Sequence, residues 1–204
     1  MLQETFKKLL LNYTYDEDLV HKLWFEITSN YSGKMRYYHN LEHLENLLHE
    51  LMGVKDKILN WNVVLFTLFY HDSIYNALKS NNEDKSAELA KKRMLQIGVS
   101  LQEIELCKEQ IMATKSHQIS INSDTNYFTD ADLSILGHTW ENYMNYFKNV
   151  RKEYIFYPNF VYKNGRKKVI QHFLAMNPIF KTEYFYDKYE FQAKENLLKE
   201  YDFY

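Results

Sequence analysis

Five glycines and two prolines are all that this chain of 204 residues offers for tight turns. Hairpins and Greek keys consume such residues at nearly every corner, so their scarcity argues against an antiparallel sheet and for an all-α fold. The periodicity agrees. From Leu41 the apolar residues fall at Leu44, Leu47, Leu48 and Leu51, which is helical spacing, and Gly53 is a stop. Residues 63–70 are almost continuously apolar; joined to 57–62, with no Gly or Pro at either end, they read as a buried helix closed by His71-Asp72. Asn81 or Asn82 offers an N-cap for a helix through Ala87, Ala90, Met94 and Ile97 that stops at Gly98. Ser100 and Glu103 form a capping-box pattern for the next helix.

Further on, 115–129 is polar and aperiodic, as a loop lying over a site would be. A helix is expected from Asp130, with Leu133, Leu136, Trp140, Tyr143 and Phe147 on one face. After Pro158, residues 159–164 read as a connection, 165–175 as a helix broken at Asn177-Pro178, and 179–204 as one or two closing helices. This length fits a single domain, 1–204, with a core at about 35–150 and C-terminal helices 151–204 packed on it.

Formal net charge is −2, so the chain lacks the electrostatic footprint of a general nucleic-acid binder. The 18 tyrosines and 13 phenylalanines read as large core rings with amphipathic tyrosines at the margin. The lone Cys107 has no internal partner and reads as a small buried hydrophobe, compatible with a reducing compartment. The apolar stretch at 9–11 is too short for a signal peptide and no window reaches bilayer length. The expectation is a cytoplasmic protein with a small-molecule substrate and no membrane partner.

The chemistry concentrates in three places: Tyr38-His39-Asn40-Leu41-Glu42-His43, the pair His71-Asp72, and Asp130-Ala131-Asp132. A hydrolytic metal site needs enough ligands to hold the cation and one position left for water, and two histidines with two aspartates meet that need. If helical, His39 and His43 stand one turn apart on one face, so one can bind metal while the other moves protons. Asp130 is the rival of Asp132 as a ligand, or else the N-cap of its helix. Asn40 either orients a ligand or begins a helix.

The order His43, His71-Asp72, Asp132 resembles the HD superfamily of metal-dependent phosphohydrolases, an all-helical fold whose ligands are H, HD and D. Tyr38-His39-Asn40-x-x-His43, Ala113-Thr114 with His117, and Ala131-Asp132-Leu133-Ser134 look like segments of cyclic nucleotide phosphodiesterases within it. Asn82-Glu83-x-x-Ser86-Ala87, Asp130-x-Asp132-Leu133-x-Ile135-Leu136-Gly137, Arg151-x-Glu153-Tyr154 and Gly165-Arg166 look closer still to a bacterial family described as predicted metal-dependent HD phosphohydrolases. The resemblance spans roughly residues 20–200. It implies an HD-type helical bundle with His43, His71, Asp72 and Asp132 as ligands and His39 as proton donor. One departure is plain: phosphodiesterases carry a second histidine three residues after the pair, where this chain has Tyr75.

The resulting expectation is cleavage of a phosphate ester or nucleotide by metal-activated water. The mixed imidazole and carboxylate set does not select among Mn, Fe, Zn, Co, Ni and Mg. Glu83 and His117 are candidates to position water or a second cation, and Arg36, Lys115, His117, Arg151 and Arg166 to hold substrate phosphate. Two rival readings stand beside this one: an HD-type di-iron oxygenase, which needs Glu83 and His117 as ligands, and a non-catalytic helical module that binds a metal or nucleotide.

Overall fold

The computed structural model describes residues 1–204 and contains ten α-helices and no strand. By the density of internal contacts the chain divides into two compact units, 1–129 and 130–204. The boundary falls inside one unbroken helix.

The first unit is built around a helix that is apolar on every side. α1 (Leu2–Leu10), α2 (Glu17–Tyr31), α3 (Leu41–Met52), α4 (Trp61–Tyr70), α5 (Asn82–Gln96) and α6 (Leu101–Ala113) follow in order, and α7 (Ser123–Leu133) begins within it. Every residue of α4 from Val63 to Tyr70 is buried, and α1, α3, α5 and α6 pack around it. Full burial of each Phe or Leu there contributes about 1.5–3 kcal/mol. Phe69 meets Phe6 edge-on, with ring centroids 4.8 Å apart.

Local chemistry sets the ends of these helices. Asn40 caps α3, its Oδ1 accepting from the N–H groups of Glu42 and His43, and Asn60 caps α4 through Val63. Ser100 caps α6 through Glu103. Gly98, at φ 78°, closes α5: its own N–H bonds to Leu95 and that of Val99 to Met94. This left-handed position is one that glycine adopts without the Cβ penalty.

Three expectations about elements are corrected. Residues 123–129 are helical, not loop: of the residues buried there only Phe128 is apolar, beside Asp124, Thr125 and Thr129, with Asp124 accepting from the N–H groups of Leu59 and Asn60 at 2.9 and 2.7 Å. The helix expected to run from Asp130 to Phe147 is broken: a 3-10 turn, Ser134–Gly137, follows α7, and α8 (Trp140–Glu153) starts afresh on Thr139, which caps Asn142. Residues 159–164 belong to α9 (Asn159–Ala175), which begins directly after Pro158. A single helix, α10 (Glu183–Tyr201), closes the chain.

In the second unit a buried ion pair joins α9 to α10. Arg166 donates from Nε and Nη2 to the two carboxylate oxygens of Glu200, both at 2.8 Å. The hydroxyls of Tyr143 and Tyr204 donate to the same carboxylate. Burial raises the pKa of both phenols, so they remain donors. Breaking such a pair by removing one partner typically costs about 3–5 kcal/mol. No helix is long and apolar enough to cross a membrane.

Candidate metal centre

Three side chains bring ligand atoms within 4.8 Å of one another: His43 from the first turn of α3, His71 at the C-terminus of α4, and Asp132 near the end of α7. Both histidines are buried and Asp132 is half-buried. Helix α7 delivers Asp132 by its own geometry. Phe128, one turn earlier on the same side, packs edge-on against the His71 ring at 5.5 Å between centroids.

The Nε2 atoms of His43 and His71 lie 3.3 Å apart. Asp72 Oδ2 is 3.2 Å from His71 Nε2 and 4.0 Å from His43 Nε2. Nδ1 of His71 sits 3.0 Å from the carbonyl oxygen of Leu68, which can only accept, so that nitrogen carries the proton and the Nε2 lone pair faces His43. A proton on His43 would satisfy the histidine pair alone. A divalent cation would satisfy the pair and the carboxylates together. The 3.3 Å His43–His71 and 3.2 Å His71–Asp72 separations suit it: with metal–ligand distances of about 2.1 Å, neighbouring ligand atoms stand about 3.0–3.4 Å apart. A ligand imidazole held through its other N–H by a backbone carbonyl is the common arrangement in metal sites.

His39 stands outside this trio. It lies in the bend before α3 rather than on the helix, because Asn40 is the cap, so the expected one-face pairing with His43 along a helix does not occur. Its Nε2 nonetheless reaches within 4.0 Å of Asp72 Oδ2. The Tyr75 ring lies against it, centroids 4.4 Å apart and 30° between planes. Tyr75 is thus a packing surface for His39.

Asp130 is not among the three converging side chains. Fully buried, it accepts from the N–H groups of Lys181 and Thr182 and from the Thr182 hydroxyl at 2.7–3.0 Å, and Lys181 Nζ is 3.0 Å from Oδ1. It caps the approach to α10. Burial pulls the Lys181 pKa below its ordinary value, and Asp130 opposes that shift.

The expected phosphate grips are mostly engaged elsewhere. Arg36 donates from Nη1 to the carbonyls of His39 and Asp72 and from Nη2 to that of Ser73, at 3.0, 2.7 and 3.0 Å. Its fork is fitted to backbone rather than to an anion, and its charge lies over the Tyr31 and Tyr75 rings. Arg151 binds the carbonyls of Tyr154 and Tyr157 and the Asn159 side chain, fastening the α8–α9 corner. Arg166 is in the buried pair with Glu200. Lys115 joins the Ser80 carbonyl at 3.3 Å and lies 3.7 Å from Asp84. Glu83, in the first turn of α5, and His117, in the segment after α6 at φ 52°, are not among the three converging ligands.

Two residues that sequence reasoning gave no role help to hold the His71-Asp72 segment. The Tyr31 hydroxyl accepts from the Asp72 N–H at 3.2 Å, and Ser86 Oγ from the Ile74 N–H at 3.0 Å. Ser86 belongs to the Asn82-Glu83-x-x-Ser86 segment already singled out, so a signal existed. Tyr31 is indistinguishable in sequence from other core tyrosines.

No family model, curated protein or solved structure matches this chain.

Proposed function

We propose that this protein is a metal-dependent phosphohydrolase of the HD type, acting on a phosphate ester or nucleotide. The observation that carries the reading is the convergence of His43, His71 and Asp132, with Asp72 against the two imidazoles. These residues would hold one divalent cation, with Asp72 completing the set.

When bound, such an ion supplies Lewis-acid polarisation of the phosphoryl oxygen and water of lowered pKa. The rest of the work falls to the chain. His71 is fixed by Leu68 in the tautomer that offers Nε2. Asp72 places its carboxylate between that site and His39, which is partly exposed and in reach of a leaving-group oxygen. His39, protonated, would donate to that oxygen as the bond to phosphorus breaks, with Tyr75 setting its ring plane. The oxidative reading asks for Glu83 and His117 as further ligands, and neither joins the converging group.

The test is a screen of purified protein with Mn²⁺, Ni²⁺, Co²⁺ or Mg²⁺ against generic phosphate esters and nucleotides. Activity should disappear in Asp72→Ala and fall by about 10²–10⁴ in His39→Ala. Equal rates for Asp72→Ala and the parent would overturn the reading.

A further inference from the structure

We propose that the corner between α8 and α9 is a docking surface for an anionic lipid bilayer. Four apolar side chains project there: Ile155 and Phe156 in the turn and Phe160 and Val161 in the first turn of α9, exposed by 61, 70, 70 and 39%. Large apolar side chains clustered on a tip, rather than scattered singly, mark a surface made to be covered.

The charge around the corner is one-sided although the chain as a whole is near neutral. Between Glu141 and Glu183 stand eight lysines and arginines and a single acid, Glu153, which is 2% exposed. Two of the eight, Arg166 and Lys181, are buried, and Arg151 is fastened to the corner's own backbone. On α9, Lys163, Asn164, Lys167 and Lys168 follow Phe160 at three, four, seven and eight residues, which is helical spacing along one face. They form a stripe opposite the buried Tyr162, Arg166, Ile170 and Phe173. An apolar wedge beside a cationic helix face is the complement of a bilayer with anionic headgroups.

The chemistry favours lipid over nucleic acid. Base stacking needs open aromatic faces, and several rings beside these cations already carry one: Arg151 lies over Tyr162, Lys163 over Tyr204 and Lys167 over Tyr201. The two rings that stay open at the tip, Phe156 and Phe160, stand with the aliphatic Ile155 and Val161 and bear no polar edge to read a base, a mix that suits acyl chains better than bases. Lying on a bilayer needs no spanning helix, so the expectation of no membrane partner, which rested on the lack of a spanning window, does not bear on this surface.

Co-sedimentation of the full chain with phosphatidylcholine vesicles, with and without phosphatidylserine, tests the proposal. Sedimentation should require phosphatidylserine, weaken with salt, and be lost in Phe156→Ser/Phe160→Ser. At about five-fold per surface cation, Lys163→Glu/Lys168→Glu should weaken it at least about 25-fold. The substituted side chains are exposed, and an unchanged circular dichroism spectrum confirms the fold. No sedimentation with phosphatidylserine vesicles, sedimentation insensitive to both variants, or tighter binding to single-stranded RNA with Phe156→Ser/Phe160→Ser unaffected would each overturn it. None of these outcomes depends on the metal centre.

Discussion

Arg36 Nη1 donates to the carbonyl oxygen of Asp72 at 2.7 Å, tying the turn before α3 to the turn after α4. The same guanidinium holds the carbonyls of His39 and Ser73, so one side chain spaces the proton-donor candidate against the carboxylate beside His71. A lysine keeps the charge but cannot serve three carbonyls in a fixed fork.

Arg36→Lys is therefore expected to weaken divalent-metal binding by about ten-fold, the lower end of what supporting partners of ligands contribute. Calorimetric titration of Mn²⁺ into chelator-treated protein checks this, with the unfolding midpoint measured alongside. Unchanged affinity would show that the clamp does not position the centre.

Cys107 gives a pH dependence. Burial pushes its thiol from 9.0 up to about 12, so the unfolded chain ionises first as pH rises. The thiol's contribution to stability is fully present below pH 9 and is lost as pH climbs towards 12. Cys107→Ala should flatten the decline in unfolding free energy across that window. At about pH 8 the native protein should resist a thiol reagent that labels it promptly in denaturant.

Gly137 has no room for a side chain. A Cβ there would stand 2.5 Å from Tyr189 Cβ and 2.7 Å from its carbonyl oxygen, and backbone cannot step aside as a flexible side chain would. Gly137→Ala is expected to cost about 1–3 kcal/mol or more in denaturant unfolding, as overpacking does. An unchanged midpoint would contradict the close approach of α10 to the 3-10 turn.

Some helix ends were legible because a side chain does local work there: Asn40, Gly98 and Ser100 cap or stop their helices by chemistry that needs no tertiary context, whereas the Asn60 cap was read as helix interior. What could not be read depends on distant partners. The start of α7 looked like a loop because Asp124, Thr125 and Thr129 are buried polar residues, satisfied in part by Leu59 and Asn60 far back in the chain, and hydrophobic periodicity does not register them. The same limit applies to the site. His43, His71 and Asp132 were legible from residue type and order, whereas a sequence does not say whether an arginine fork meets a phosphate, as expected of Arg36 and Arg166, or a carbonyl and a buried glutamate.

The central claim is that His43, His71 and Asp132 hold a common cation, and Asp132→Ala tests it most directly because that ligand arrives from the most distant helix in the chain. Chelator-stripped parent and variant, both confirmed folded by circular dichroism, would be titrated calorimetrically with Mn²⁺ or Ni²⁺ and analysed for bound metal. The parent should bind stoichiometrically and the variant at least about a hundred-fold more weakly, since a direct ligand is lost rather than a supporting partner. Parent-like affinity in the folded variant would contradict the account.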